Sequence, residues 1–208
     1  MAESDGGETE VTSSAFNVPN ALTVLRLVLV PVFLWLLLLN TPTTRWWALA
    51  VFLVASYTDY LDGSIARKHN IITNFGKLAD PIADKFLTLG AFVALSILGD
   101  LTWWFTIIVA VREIGITILR EVLRRQGTVV AASSGGKLKT VLQMVLIVLL
   151  IIPWSFFAPN LVLQMVLIVV WIVALATLIV TVWSGVQYVL VAVDAMQRQG
   201  GRRTSTRR

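Results

Sequence analysis

The fold is decided by residues 161–193, LVLQMVLIVVWIVALATLIVTVWSGVQYVLVAV, which contain no Asp, Glu, Lys or Arg. A helix that crosses the hydrocarbon core of a bilayer needs about 20 mostly apolar residues, so this stretch can cross a membrane and tilt or extend past it. The chain before it holds five further apolar runs, at roughly 20–39, 46–66, 77–98, 101–123 and 138–157. The breaks between the runs carry Pro, Gly, Asn and Ser, which are typical of turns. The sequence therefore predicts an all-α integral membrane protein with six transmembrane helices.

The composition supports this fold class. Of the 208 residues, 57% are hydrophobic and 14% are charged, and the mean hydropathy is +0.80. A soluble domain has about 45–50% apolar and about 25% charged residues, and the lack of cysteine excludes a disulfide scaffold. The net charge of +5 is explained in a membrane protein by topology signals and anionic lipid. We therefore expect membrane lipids, and no nucleic acid, as partners.

The positive charges predict the orientation. If the six runs alternate in direction, 13 of the 17 Lys and Arg lie at one side and only Arg45 lies at the other, with three inside the spans. The positive-inside rule then places both termini in the cytoplasm, in a multi-pass protein of the cell membrane. We expect a disordered acidic tail at 1–14, one membrane domain at 15–196 and a basic cytoplasmic tail at 197–208. Tryptophans fall at the predicted outer ends, as an aromatic belt does: Trp46, Trp47, Trp103, Trp104 and Trp154.

Four carboxylates break the apolar pattern. Asp59 and Asp62 lie near the cytoplasmic end of the second run, and Asp80 and Asp84 lie near the cytoplasmic start of the third. An ionisable residue inside a span costs about 2.5–3.5 kcal/mol even on the lenient scale, so each requires a reason. Asp59 and Asp84 both lie about 10 Å from the cytoplasmic edge at 1.5 Å per residue. Because consecutive helices are antiparallel, the four acids can face one another in two layers.

Each pair of acids shares a helical stripe with residues that have little or no side chain. Gly63 and Ala66 continue the stripe of Asp59 and Asp62, and Gly76 precedes Asp80 at a spacing of four. Four carboxylates cannot all stay ionised together in a low dielectric without cations. Oxygen-only ligands suit hard ions such as Mg²⁺ or Mn²⁺, with room for two.

The small residues would let a bulky ligand approach the backbone, and Arg67 could hold its phosphates. The alternative is structural. The four acids would then pair internally with Arg67, Lys77 and Lys85, and the small residues would serve helix packing.

Residues 59–84 read DYLDGSIARKHNIITNFGKLADPIAD and fit D-x2-D-G-x2-A-R-x8-G-x3-D-x3-D at all eight fixed positions. This resembles the signature of the CDP-alcohol phosphotransferase family. The resemblance implies a six-helix membrane enzyme, homodimeric in most members, that transfers a substituted phosphate from a CDP-linked donor to an alcohol and releases CMP. It also implies that Asp59, Asp62 and Asp80 bind metal. Asp84 is then the general base and a further metal ligand, while Gly63, Arg67 and the hairpin around Thr73 contact the CDP group.

Further segments are similar to the bacterial branch of this family that uses CDP-diacylglycerol and glycerol 3-phosphate. They are NVPNALTVLRLVLVP, DPIADK, REIGITILR and GKLKTVLQ, and the likeness covers about residues 17–190. A soluble acceptor and cytidine could enter a site near the cytoplasmic edge while the lipid tails of the donor stay in the bilayer. Other acceptors within the family, as in cardiolipin synthase or inositol- and serine-type enzymes, remain an alternative.

Two further groups of polar residues are candidates for substrate contacts. Arg112, Lys137 and Lys139 could bind the acceptor phosphate, since Lys137 and Lys139 also follow a predicted helix start. Alternatively, Arg112 could pair with neighbouring acids, and the two lysines could serve only as positive-inside topology signals. Asn20, Thr23 and Arg26 form a polar stripe on the first run that could hold the donor diphosphate or could simply cap the helix and snorkel.

Two rivals lie outside the family. A membrane prenyltransferase also holds a diphosphate with acidic motifs and Mg²⁺, but it lacks the D-G-x2-A-R element. A cation transporter could use the four aspartates as an ion site, and it would carry metal across vesicles without releasing CMP. The glycines and the arginine at fixed offsets have no role in such a carrier.

Overall fold

The computed structural model describes the backbone of residues 18–69, 74–125 and 134–205, and the side chains of residues 22–59, 85–125 and 136–196. Within these residues the chain is all helical, as predicted, with six α-helices and one short 3₁₀ turn at Trp154–Phe156. The proposed acidic tail at 1–14 lies outside the described residues. The α-helices are α1 Val18–Leu38, α2 Pro42–His69, α3 Asn74–Ile97, α4 Trp103–Arg125, α5 Ser134–Ile151 and α6 Asn160–Ser205.

The helices are longer than most of the apolar runs that predicted them. Arg67 and Lys68, expected between two helices, lie in the last turns of α2, and Lys77 lies in α3. Gly135 and Gly136, expected in a turn, lie in the first turn of α5. Polar residues can continue a helix once an apolar segment has nucleated it, so hydropathy marks the apolar segment and not the helix end. Helix α6, with 46 residues, is about 69 Å long at 1.5 Å per residue and includes most of the predicted basic tail.

The three described turns follow the predicted turn chemistry. Asn40 and Gly99 have positive φ values of 53° and 80°, which Asn and Gly tolerate better than other residues. Helix α2 begins with a capping box, because the Thr41 and Thr44 hydroxyls accept hydrogen bonds from each other's backbone N–H at 3.2 and 3.0 Å. Pro42 then occupies the first helical position, where its missing N–H costs nothing.

The described apolar core lies in the half of the molecule that carries these turns. Helix α1 packs on α2 and α3, α4 packs on α3 and α6, and α5 packs on α6. Phe33 and Phe52 join α1 to α2 with ring centroids 5.4 Å apart, and Phe92 and Phe105 join α3 to α4 at 5.7 Å. Gly90 allows a close approach of α3 to α1, since a Cβ there would lie 3.2 Å from Leu34 Cδ1.

The outer surface of α6 is strongly apolar. Trp171, Leu175, Ile179 and Trp183 follow one another at a spacing of four and are 63%, 59%, 59% and 63% exposed. By length and composition alone, two segments of the described part could cross a membrane, Gly136–Phe156 and Asn160–Met196. Leu22–Leu38 and Lys85–Ile97 are apolar but shorter within the described side chains. A continuous exposed apolar face of this kind suits lipid better than water.

Arg45 holds the turn-bearing half together. Its buried guanidinium donates to Asn40 Oδ1 at 2.8 Å and to the Leu150 carbonyl at 3.2 Å, and it pairs with Asp100. These contacts connect the α1–α2 turn, the α3–α4 turn and the last turn of α5. Arg45, which the charge pattern placed apart from the other cations, is thus paired with Asp100 in the structure.

We predict that Arg45→Ala lowers the free energy of unfolding by about 2–4 kcal/mol, because it leaves a carboxylate and two oxygen acceptors without their donor. Chemical denaturation of the purified protein in detergent measures this. Arg124→Ala is the matched control, since it removes an exposed ion pair to Glu121 and should change stability little. Equal stability of Arg45→Ala and the parent would contradict a structural role.

Candidate active site

The acidic motif lies on two helices, as the spacing predicted. Asp59 and Asp62 are in the last third of α2, and Asp80 and Asp84 are in the first half of α3. Their helical backbone places each pair on one face at spacings of three and four. Gly63, Ala66 and Arg67 share the motif end of α2, and Gly76 shares that of α3. Their side-chain surroundings, and Thr73 as a whole, lie outside the described residues, so the metal and donor assignments remain predictions.

Asp59 is the motif residue whose side chain is described. Its Oδ1 lies 2.9 Å from Nη1 of Arg26 on α1, and the Arg26 side chain is completely buried while that of Asp59 is 38% exposed. Ionised pairs of this kind lower the cost of burying a charge. Arg26 is thus one partner of this acid, a cation that the structural alternative, with Arg67, Lys77 and Lys85 as partners of the four acids, did not include.

The polar stripe of α1 faces inward beside the motif. Thr23 and Arg26 are 1% and 0% exposed, which excludes snorkelling to the membrane surface as the role of Arg26. Asn20 lies on the same helix, one turn earlier, and its side chain is outside the described part. A contact of this stripe with the donor diphosphate remains a prediction, and the contact that is seen is with Asp59.

A further set of polar contacts starts at Lys85, the residue after Asp84. Lys85 donates to the hydroxyl of Thr117 on α4, and that hydroxyl donates to the Glu113 carbonyl at 2.7 Å. Glu113 lies one turn before Thr117. The middle of α3 is therefore connected to α4 one turn from Glu113.

Glu113 binds two of the three cations that were candidates for the acceptor phosphate. Its Oε1 accepts from Arg112 Nη1 at 3.0 Å and from Lys139 Nζ. Arg112 also donates through Nη2 to the Ser184 hydroxyl at 3.0 Å. The cluster joins α4, α5 and α6, and the three side chains are only 15%, 13% and 9% exposed for Arg112, Glu113 and Lys139. Lys137 is exposed and lies outside this cluster.

Several buried polar atoms near this cluster lack a hydrogen-bond partner among the described residues: Arg112 Nε, Gln143 Nε2, Thr181 Oγ1 and the Tyr188 hydroxyl. Gln143 lies one turn beyond Lys139 on α5, while Thr181 and Tyr188 flank Ser184 on α6. Buried polar groups in native proteins nearly always have partners, with water among them. The interior between α4, α5 and α6 is therefore a place for water or a polar ligand.

The residues of the motif fit a hard divalent ion as far as the described part reaches. Asp59 offers a partly exposed carboxylate, and oxygen donors without sulfur or imidazole suit Mg²⁺ or Mn²⁺. Within the described side chains no three acidic, His or Cys residues come together, since three of the four aspartates lie beyond them.

Two described cavities lie away from the acidic motif. A cavity of about 790 Å³ at the turn-bearing end is lined by residues that include Arg45, Asp100 and Trp154. An apolar groove of about 620 Å³ runs between α4 and α6, with Arg112 in its wall and Gly115 and Gly185 on its two sides. Neither contains Asp59.

Comparison with known proteins decides the family. Residues 16–193 match the family model of CDP-alcohol phosphatidyltransferases. The chain belongs to the CDP-alcohol phosphatidyltransferase family. It is 42% identical over 195 residues, 92% of this chain and 89% of the relative, to a probable phosphatidylglycerophosphate synthase of Mycobacterium tuberculosis (strain H37Rv). It is 36% identical over 182 residues, 85% and 95% of the two chains, to the CDP-diacylglycerol–glycerol-3-phosphate 3-phosphatidyltransferase of Escherichia coli (strain K12). The protein of that name from Bacillus subtilis (strain 168) is 38% identical over 142 residues, 62% and 74% of the two chains.

The sequence reasoning for this phosphatidyltransferase missed Glu113 and the pairing of Arg26 with Asp59. An acid in the middle of an apolar run was a usable signal, because intramembrane carboxylates are rarely placed without function. Thr117, Gln143, Thr181 and Ser184 gave no such signal, since uncharged polar residues are common in transmembrane helices.

We predict that Arg26 and Asp59 are energetically coupled. Arg26→Gln and Asp59→Asn should each destabilise the phosphatidyltransferase, and the double variant should recover about 1 kcal/mol relative to their sum, a modest value because Asp59 is partly exposed. A double-mutant cycle in chemical denaturation measures the coupling. The exposed Glu121–Arg124 pair is the control, and strictly additive effects of Arg26→Gln and Asp59→Asn would contradict the coupling.

Proposed function

We propose that the protein transfers the phosphatidyl group of CDP-diacylglycerol to glycerol 3-phosphate, giving phosphatidylglycerophosphate and CMP. The observation that carries this is the cluster of Arg112, Glu113 and Lys139, in which two little-exposed cations from different helices share one carboxylate oxygen. A buried positive cluster beside a diphosphate-binding motif suits a phosphorylated alcohol better than a neutral one. The names of the relatives agree with this substrate pair.

The donor site is proposed at the facing ends of α2 and α3. Asp59, Asp62, Asp80 and Asp84 hold two divalent ions, Mg²⁺ or Mn²⁺, which neutralise charge on the diphosphate when bound. Gly63, Ala66 and Gly76 leave room for the backbone to approach the CDP group. The remaining proposed donor contacts are Arg67, Thr73, Asn20, Thr23 and Arg26.

The chemistry requires a base and a positioned acceptor. Asp84 takes the proton of the acceptor hydroxyl, whose oxygen attacks the phosphorus that carries the diacylglycerol moiety. The bond from that phosphorus to the bridging oxygen breaks, and CMP leaves with the electron pair. Arg112 and Lys139, with Lys137 at the entrance, bind the phosphate of glycerol 3-phosphate, so the acceptor lies on the α4–α5 side of the donor.

The proposed membrane placement rests on the distribution of positive charges along the chain. We propose that all six helices cross the cell membrane with both termini in the cytoplasm, and that the site opens to the cytoplasm. The tryptophans at the turn-bearing end, such as Trp47 at 62% exposure, then form the outer aromatic belt. Donor lipid enters from the bilayer, the soluble acceptor enters from the cytosol, and the enzyme works as a homodimer.

We expect the purified protein to release CMP from CDP-diacylglycerol in the presence of glycerol 3-phosphate and Mg²⁺ or Mn²⁺. The measurement offers phosphatidylglycerol, inositol and serine as competing acceptors, follows CMP, and identifies the lipid product by mass spectrometry. Release of CMP with another acceptor alone would reassign the protein within its family. Metal uptake into vesicles without CMP release would contradict a transferase.

We predict that Asp84→Asn lowers kcat by about 10²–10⁴ through loss of the base, while Mn²⁺ binding is largely kept by the other three aspartates. Single-turnover kinetics and electron paramagnetic resonance of bound Mn²⁺ measure the two effects separately. Asp194→Asn, an exposed acid on α6, is the control and should behave as the parent. Full activity of Asp84→Asn with normal metal binding would exclude Asp84 as the base.

We predict that Arg112→Ala raises the KM for glycerol 3-phosphate by about tenfold or more, because it removes a charged donor to the phosphate. The KM for CDP-diacylglycerol should change little. Arg120→Ala is the control on the same helix, since Arg120 stacks on Tyr188 with its guanidinium carbon 5.5 Å from the ring centroid. An unchanged KM for glycerol 3-phosphate in Arg112→Ala would remove this residue from the acceptor site.

A further inference from the structure

One carboxylate oxygen pairs with two cations in the interior between α4 and α5. Glu113 Oε1 accepts from Arg112 Nη1 at 3.0 Å and from Lys139 Nζ. These three side chains thus bring two positive charges and one negative charge into a place where charges are poorly solvated. Both cations reach the same oxygen from different helices, so Glu113 stands where a bound anion would have to be.

Two buried N–H donors near the cluster have no hydrogen-bond partner among the described residues. Arg112 Nε is buried and has no hydrogen-bond partner among the described residues, and the Arg112 stem lies against Gly185, where a Cβ would be 3.2 Å from Cγ. Gln143 Nε2, one turn from Lys139, is a second buried donor without a described partner. A purely structural salt bridge would use its donors more fully. A phosphate brings several acceptor oxygens, which suit a site with donors from more than one helix.

We infer that Glu113 is an internal counter-ion of the acceptor site, which occupies Arg112 and Lys139 until the phosphate of the acceptor displaces it. This inference rests on the proposed function. Glu113 pairs with both cations when the site is empty. It also opposes every entering anion, so that only a ligand with the charge and the oxygens of a phosphate exchanges for it. Glu113 thus sets the selectivity of the site by lowering its affinity.

The sign of the effect separates this role from a structural one. If Glu113 only holds α4 to α5, its removal should misplace Arg112 and Lys139 and weaken phosphate binding. If it competes with the ligand, its neutralisation should strengthen binding. Removing one close charge from a buried site changes affinity by at least about tenfold.

The test compares Glu113→Gln and Glu113→Asp with the parent protein. Glutamine keeps an oxygen acceptor for Lys139 but removes the charge. Aspartate keeps the charge but is one methylene too short to reach both cations. Equilibrium binding of inorganic phosphate, without donor and divalent metal, gives the affinity of the site itself. The KM for glycerol 3-phosphate at saturating CDP-diacylglycerol gives the effect during turnover, and thermal unfolding monitors the fold.

We expect Glu113→Gln to bind phosphate at least about tenfold more tightly and to lower the KM for glycerol 3-phosphate in parallel. Glu113→Asp should tighten phosphate binding by about threefold and should fold like the parent, since it retains a counter-ion. Glu121→Gln is the matched control. It lies on the same helix and pairs with two cations, Arg124 and Arg125, but it is exposed, so its phosphate affinity should stay that of the parent.

Unchanged or weaker phosphate binding by folded Glu113→Gln would overturn the inference, and so would an equal gain in Glu121→Gln. If Glu113→Gln fails to fold, weaker or unchanged binding by Glu113→Asp overturns it and tighter binding supports it. Because phosphate binding needs no turnover, these outcomes are distinct from failure of the proposed function, which is the absence of CMP release with glycerol 3-phosphate.

Discussion

The cost of placing a charge in an apolar interior governs the described structure. An isolated ion there costs several kcal/mol, whereas a paired and hydrogen-bonded one is tolerated. Each buried charged group accordingly has a partner on another helix or turn: Arg26 with Asp59, Arg45 with Asp100, and Lys139 with Glu113. These pairs, together with uncharged contacts such as Ser96 with Thr106, add directional interactions between helices whose described core is apolar. The same interactions therefore fix the arrangement of the helices and place the functional side chains.

The ion pairs differ in how many of their hydrogen-bond donors have a partner. This difference distinguishes the structural cluster around Arg45 from the proposed functional cluster around Glu113. The Arg45 cluster uses all three guanidinium nitrogens at the turn-bearing end, beside the well-packed core. The cluster around Glu113 leaves Arg112 Nε and Gln143 Nε2 without described partners. Asp59 keeps part of its carboxylate exposed. Unsatisfied polar atoms lower stability, so their concentration toward the motif half of the bundle is expected where substrates complete the network.

The sequence predicted the helices well because an apolar run of membrane length has few alternatives to a helix. It predicted helix ends less well, since Arg67 and Gly136 continue helices that hydropathy alone would stop. The motif on α2 and α3 was readable because its spacing matches one helical face. The pairing of Arg26 with Asp59 could not be predicted from the sequence, because it depends on how α1 crosses α2. No local sequence pattern encodes that geometry. Glu113 was visible as an intramembrane acid, but its second cation, Lys139, comes from another helix.

The proposed division of the chain into a donor half and an acceptor half would have a consequence for specificity within the family. The proposed donor groups lie on α1, α2 and α3, while the proposed acceptor groups lie on α4 and α5 and are supported by Ser184 of α6. The two halves communicate through the contact of Lys85 with Thr117, which lies directly after the proposed base. A family that keeps one donor chemistry can therefore change its acceptor by altering α4, α5 and α6, without disturbing the acidic motif. Charge balance restricts such changes, because replacing Arg112 or Lys139 for a neutral acceptor would leave Glu113 as the buried charge in need of a partner.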